Sequence, residues 1–268
     1  MTRRLGIIDG DVLIYQAASA SESIFDWGED LWSIAADFRE AVGRFKHLVD
    51  EAVQEALCDG YVVCVSDSKN FRKDLYPEYK SHRKNRKPLV YRKLLDWAIT
   101  NYGATQFPSL EGDDVMGILA TDKAYLAGQD PCLITIDKDL GGIPGLHYNP
   151  HKKKEVWFVS QEEADFCHLS QTISGDATDG YPGVPGIGKV RADRLLTEKG
   201  ATWETVLGAY TKAGLPESYA LLMARMAKIL DSSLWDAENR KWKMWTPKLE
   251  TVACTRVGDL LRFRGTAP

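Results

Sequence analysis

Three short apolar runs in this chain each stop at an aspartate: Leu5-Gly6-Ile7-Ile8-Asp9, Tyr61-Val62-Val63-Cys64-Val65-Ser66-Asp67 and Cys132-Leu133-Ile134-Thr135-Ile136-Asp137. Runs of this length, rich in Val and Ile and separated by helix-length stretches, read as buried strands of a parallel sheet. Open parallel sheets bind ligands beyond the carboxyl ends of their strands, so these acids point at one place. A single aspartate there is a turn or helix cap. Three of them, with Glu111-Gly112-Asp113-Asp114 and Asp176-Ala177-Thr178-Asp179 still to be placed, point to a divalent-metal site.

The chain of 268 residues is long enough for one large α/β domain, or for one such domain plus a smaller helical one. No apolar stretch approaches a membrane span, and Arg3-Arg4 precedes a strand rather than a signal sequence. Five cysteines without a CxxC pair argue against a disulfide framework or a zinc cluster, and the five histidines show no ligand spacing. Cys64 and Cys132 fall inside strands as core residues, and a reducing cytoplasm is the expected address. The net charge of −4 hides a segregation of charge. Residues 69–93 carry Lys69, Arg72, Lys73, Lys80, Arg83, Lys84, Arg86, Lys87, Arg92 and Lys93 against only Asp74 and Glu78.

The expected architecture is α/β: a mostly parallel central sheet flanked by helices over 1–160, followed by a helical region over 161–268. After strand 5–9 and a loop, Ile34, Phe38, Val42, Phe45, Val49, Val53 and Leu57 keep one face of a helix over 31–57. Strand 61–66, the basic stretch and a helix over 90–101 follow, with a short strand at Gln106-Phe107. A helix from Asp113 to Leu126, strand 132–136 and an edge strand at Val156–Val159 complete the first part. From 160 the pattern is helical, interrupted by the glycine-rich 181–188. There are no internal repeats.

Hard divalent cations such as Mg²⁺ take oxygen ligands from several elements. Asp9, Asp67 and Asp137 qualify by position, and Asp139 follows Asp137 by two residues. Glu111, Asp113 and Asp114 open a helix, where acids are also favoured by the macrodipole. Asp176 and Asp179, three apart, share a face if their stretch is helical. Two ions about 4 Å apart would support an in-line phosphoryl displacement. Asp11 is expected to be a helix cap and hydrogen-bond acceptor rather than a ligand.

Between Phe71 and Lys84 cations alternate with rings, so Arg72, Lys73, Tyr79, Lys80, Arg83 and Lys84 are candidate contacts to phosphates and bases. Lys80 and Arg83 would share a helical face beside a scissile phosphate; the alternative is a solvated charged loop. Gly183, Val184, Gly186, Ile187, Gly188 and Lys189 form a glycine-rich turn before an apolar helix. The turn lacks the Lys-Ser/Thr ending of a nucleotide-binding loop and reads as a helix–hairpin–helix grip on a DNA backbone.

Taken in order, these segments resemble the 5′-nuclease (flap endonuclease) superfamily, and are most similar to the stand-alone 5′→3′ exonucleases of short-tailed phages. The likeness rests on Ile8-Asp9-Gly10-Asp11, Ser66-Asp67-Ser68 with Phe71-Arg72-Lys73, and Tyr79-Lys80-Ser81-His82-Arg83-Lys84. It continues through Leu110-Glu111-Gly112-Asp113-Asp114-Val115-Met116-Gly117, Ile136-Asp137-Lys138-Asp139 and Gln171 to Tyr181. The resemblance implies a PIN-like fold and a phosphodiesterase using Mg²⁺ or Mn²⁺, two ions in number. It implies one metal at Asp9, Asp67, Glu111 and Asp113, and a second at Asp114, Asp137, Asp139, Asp176 and Asp179. Asp9, Asp67 and Asp114, with Lys80 and Arg83 of a helical arch, would carry catalysis. Residues 183–189 would form a helix–three-turn–helix able to bind K⁺, although Pro185 departs from the usual turn. Expected partners are DNA 5′ ends, flaps, nicks and duplex, with RNA–DNA hybrids and replication proteins besides, for a monomer in the host cytoplasm. The implied roles are primer removal in phage replication and host DNA degradation, by a nuclease with no attached polymerase.

Two rivals explain less. A haloacid-dehalogenase-type phosphatase would use Asp9 of Asp9-Gly10-Asp11 as nucleophile, but leaves Glu111–Asp114, the basic segment and the glycine turn idle. A non-catalytic DNA-structure binder leaves the acids as a cost, since unneutralised carboxylates repel DNA.

Overall fold

A computed structural model describes residues 3–247. Its centre is a five-stranded sheet in the order β4-β1-β5-β6-β7, formed by β1 (Arg4–Asp9), β4 (Gly60–Cys64), β5 (Asp130–Ile134), β6 (Gly145–Asn149) and β7 (Lys153–Val159). β1 lies parallel to β4 and β5, β5 parallel to β6, and β7 closes the edge antiparallel. The mostly parallel α/β sheet with 156–159 at its edge is therefore as expected. β6 was not anticipated, and Gln106-Phe107 is no strand; only Thr105 bridges to Cys64.

Helices cover both faces. On one side α1 (Gly10–Ala20), α2 (Phe38–Glu55) and α4 (Tyr91–Trp97) bury Leu13, Ile14, Phe45, Val49 and Leu94 against Ile8 and Val63. On the other, α5 (Gly112–Thr121) packs Val115, Ile118 and Leu119 against Ile7 and Leu133. A helical unit, α7 (Gln161–Ser174), α8 (Lys189–Lys199), α9 (Trp203–Lys212) and α10 (Glu217–Ala227), has its own core around Tyr210, Met223 and Ile173.

The expected helix over 31–57 is shorter. Asp37 caps α2, its carboxylate accepting from the amides of Arg39 (2.7 Å) and Glu40 (3.2 Å). Residues before it pair instead as a hairpin of β2 (Glu22–Asp26) and β3 (Trp32–Ala36), with Ile34 opposite Ile24. Ile34 thus stands on a strand, and Leu57 lies beyond the helix with φ 54° and an exposed side chain. α1, expected as a loop, starts at once after β1. The expected helix from Asp113 to Leu126 breaks at Asp122, which caps a last short turn, α6 (Lys123–Leu126).

Past α10 the chain returns to the α/β part: Trp235 stacks on Phe107 and Trp242 on Phe71. The rest of the expected helical region, 248–268, lies outside the described residues. The four described cysteines are free thiols, and Cys64 and Cys132 are buried as expected. Among the described residues no helix is long and apolar enough to cross a membrane.

Candidate metal and nucleic-acid site

Asp9 ends β1 and caps α1, its Oδ1 accepting from the Val12 amide (3.3 Å) and its Oδ2 from Thr135 Oγ1 (2.9 Å). The tight passage into the helix needs Gly10, where a Cβ would meet Val63 Cγ1 at 2.5 Å and the Cys64 carbonyl at 2.7 Å. Asp137 follows β5 and takes the Asp139 amide (2.9 Å). Asp113 stands in the first turn of α5. Three elements thus deliver three carboxylates that feel one another. Burial, then Asp11, with a smaller push from Asp137, raises Asp9 to about 7. Burial, then Asp9, Asp137 and Glu111, holds Asp113 well above the carboxylate range. Among the described residues none of these three forms a salt bridge.

Glu111, Asp139, Asp176 and Asp179 are instead paired with cations. Glu111 meets Lys80 Nζ at 2.5 Å, and Asp179 meets the same nitrogen at 3.5 Å and Arg83 at 2.6 Å. Burial would raise Glu111, but Lys80 and Arg72 hold it down to about 2. Asp176 accepts from the amides of Thr178 (2.7 Å) and Asp179 (3.1 Å) and from Lys138 Nζ (3.2 Å). Burial and Asp137 push Asp139 up to about 6. Among the described residues no three His, Cys, Asp or Glu side chains stand in ligating geometry. The oxygen-only donor set, from strand ends and a helix start, nevertheless has the chemistry of a hard divalent cation. Its mutual repulsion is what such an ion relieves.

Several expected roles change. Asp114 is fully buried and both its oxygens are spent: Arg72 takes them at 2.6 and 2.8 Å, and the Leu230 amide adds a bond at 3.1 Å. It is a structural partner, not a free ligand. Arg72 is correspondingly buried and also donates to the carbonyls of Met226 and Lys228, so it does not face DNA. Tyr79 is buried too, with its hydroxyl within 2.7 Å of Glu111 and 2.8 Å of Asp179, unavailable for base stacking. Lys80 and Arg83 share no helical face. Lys80 has φ 55°, its amide donates to the Asp179 carbonyl (2.7 Å), and the segment's only helix is α3 (Phe71–Leu75). Asp67 stays on the cavity wall with both oxygens engaged, by Ser68 N (2.6 Å) and Ser109 N (2.8 Å). Gly183 and Val184 are buried: a Cβ on Gly183 would lie 2.1 Å from the Ile173 carbonyl. Gly186 (φ 75°), Gly188 and Lys189 are exposed and Ile187 is half-buried, which leaves the tip of the turn as its contact surface.

Asp11 caps nothing but is the expected acceptor: its Oδ2 takes Ser66 N (2.9 Å) and Oγ (2.5 Å), and Ser66 Oγ accepts from the Gly112 amide (2.9 Å). Ser66 and Thr135 escape a reading by spacing because their partners Asp11 and Asp9 lie 55 and 126 positions away; Gln171 and Lys138 sit inside the acidic motifs, but which acid each reaches is set by the fold. Below the basic segment opens a cavity of about 830 Å³, walled by Asp67, Lys73, Lys80, Arg83, Lys87 and Tyr91 among others. Lys73 and Lys84 are exposed there or nearby.

Residues 4–160 match the family described as 5′-3′ exonuclease, N-terminal resolvase-like domain. The exonuclease of Escherichia phage T7 is 30% identical over 278 residues, covering 90% of this chain and 93% of that one. The exodeoxyribonuclease of Enterobacteria phage T3 is 29% identical over 283 residues, covering 90% and 92%. A bacteriophage T5 flap endonuclease, solved as a pseudo-enzyme–product complex with DNA and metal ions, superposes with a TM-score of 0.56. It is 16% identical, with 85% of this chain and 86% of that one covered, and it shares the fold.

Proposed function

The chain belongs to the 5′-3′ exonuclease family, and from that premise we propose how its side chains divide the work of cutting a nucleic-acid strand. The reaction is 5′→3′ exonuclease and flap-endonuclease hydrolysis of phosphodiester bonds, dependent on a divalent metal. The observation that carries the assignment of residues is the trio Asp9, Asp113 and Asp137, brought from three elements with no cation paired to it.

Asp9, Asp113 and Asp137 would hold one ion, with Asp67 and Glu111 beside it, and Asp139, Asp176 and Asp179 a second. Mg²⁺ and Mn²⁺ both suit this oxygen set. Ions held by these carboxylates would supply an activated water and neutralise charge on the phosphate. Lys80 and Arg83 exchange their acids for the scissile phosphate, placing two positive charges where negative charge builds. Thr135 and the Val12 amide fix the Asp9 carboxylate, so little reorganisation is needed at the moment of reaction. Lys73, Lys84 and Lys87 offer a path of positive charge for the 5′ strand. Gly186–Lys189 grips duplex phosphate through backbone donors at the start of α8, with K⁺ as a further ligand of the turn. RNA–DNA hybrids, primer removal during phage replication, host DNA breakdown and a monomer in the host cytoplasm belong to the same reading.

The test is a 5′-labelled flap and a nicked duplex incubated with Mg²⁺, with Mn²⁺ or with chelator. Short 5′ products should appear only with metal. Cleavage undiminished by chelator overturns the metal reading. Hydrolysis of a phosphomonoester alone would instead favour the phosphatase, and binding without cleavage a structure-specific binder.

A further inference from the structure

Lys138 lies between Asp137 and Asp139 at the start of a short turn (Lys138–Gly142), and its side chain is 67% exposed. Free of constraint, such a lysine extends into water. Here its Nζ turns back, 3.2 Å from Asp176 Oδ2 and 3.7 Å from Asp139 Oδ1, bridging acids from two elements. Gln171 from α7 donates to the same Asp176 oxygen at 3.4 Å. Lys80 does the same between Glu111 and Asp179. Both bridged acid pairs therefore already hold an ammonium ion, and among the described residues no three His, Cys, Asp or Glu side chains stand in ligating geometry.

We propose that Lys138 is a built-in counterion of the Asp139/Asp176 subsite, holding the two carboxylates together without a metal and swinging out before a divalent cation takes their oxygens. This rests on the metal-dependent reading above. Competition between the ammonium and the ion lowers apparent affinity by the fraction of time the subsite is free. An ion pair with one exposed partner is modest, so roughly 3- to 10-fold is at stake. Screening should shrink the effect as salt rises, because the lysine reaches the acids through solvent.

The experiment is Mn²⁺ binding to the full chain without DNA, by calorimetry and by electron paramagnetic resonance of free Mn²⁺. Wild type is compared with Lys138→Met, Lys138→Arg and Lys73→Met, the last removing an exposed charge that bridges nothing. Lys138→Met should tighten the weaker Mn²⁺ site roughly 3- to 10-fold and lower the melting temperature measured in chelator. Lys138→Arg should stay near wild type, and Lys73→Met should shift affinity less than about 2-fold. Unchanged or weaker Mn²⁺ binding in Lys138→Met overturns the proposal, and so does an equal gain in Lys73→Met. Wild type that binds no Mn²⁺ at all would instead remove the metal reading beneath it.

Discussion

Asp113 and Asp114 are neighbours in one helical turn with opposite surroundings. Asp113 faces Asp9 and Asp137 with no salt bridge of its own and only the field of Lys80 against that repulsion, whereas Asp114 is the sealed partner of Arg72. Asp113→Asn should reduce cleavage by about 10³-fold or more, yet raise the melting temperature in chelator by a few degrees, roughly, since a repelled charge is removed. Asp114→Asn should do the reverse to stability. It leaves a buried guanidinium short of a counter-charge, a loss of about 3–5 kcal/mol measurable by urea unfolding. If both variants lost stability alike, the division of labour would be wrong. Sequence alone made both acids metal ligands, one at each ion, since both open the same helix in the same motif. What separates them is Arg72, 42 positions away, and no local pattern reports which of ten cations turns inward. Tyr79 was misassigned for the same reason.

Elements were legible where periodicity and punctuation agreed. β1, β4 and β5 belong to apolar runs that end in acids, and α2 keeps an apolar face through Ala41, Phe45, Val49 and Ala52. The hairpin β2–β3 was absorbed into α2 because Ile34 happens to extend the helical period of Phe38 and Val42. Asp37 was the boundary signal, a capping side chain just ahead of the helix proper. The segment 77–87 misled differently. Its cations three apart suit a helix, but the backbone is held by Asp179 through the Lys80 amide and by Tyr79 packed into the helical unit. At this scale Gly183 is informative. Its backbone packs against the Ile173 carbonyl and Gly175, so Gly183→Ala should disturb the fold of the turn, with a loss of about 1–3 kcal/mol. Gly186→Ala, with open space around it but φ 75°, should cost less stability and weaken duplex binding instead. A filter-binding titration of folded Gly186→Ala that matches wild type would remove the tip from the DNA surface.

For the whole molecule the acids set a dependence of metal stabilisation on pH. Asp9 has its folded carboxyl raised to about 7 from 3.8. Its folded form therefore binds the proton more tightly, a contribution complete below pH 3.8 and lost as pH rises through 7. Glu111, held down to about 2, acts oppositely, stabilising above its ordinary 4.5 and losing that as pH falls towards 2. Metal competes with the proton at Asp9, so its benefit appears only as that proton leaves. The difference in melting temperature between Mg²⁺ and chelator should be small near pH 5 and grow as pH rises through about 7 and the protons on Asp9 and Asp113 leave. Groups outside the site, such as neutral buried His168, cancel in that difference. A difference that is flat with pH would mean that Asp9 does not meet the ion.

Arg72 also donates hydrogen bonds to the carbonyls of Met226 and Lys228, 154 and 156 positions further along. A protease that nicks the exposed stretch at residues 84–87 would thus cut the backbone without parting the pieces, because the bonds that fasten one to the other lie shut away from the wound. Such a clipped molecule should travel as one particle on a sizing column and come apart only in denaturant.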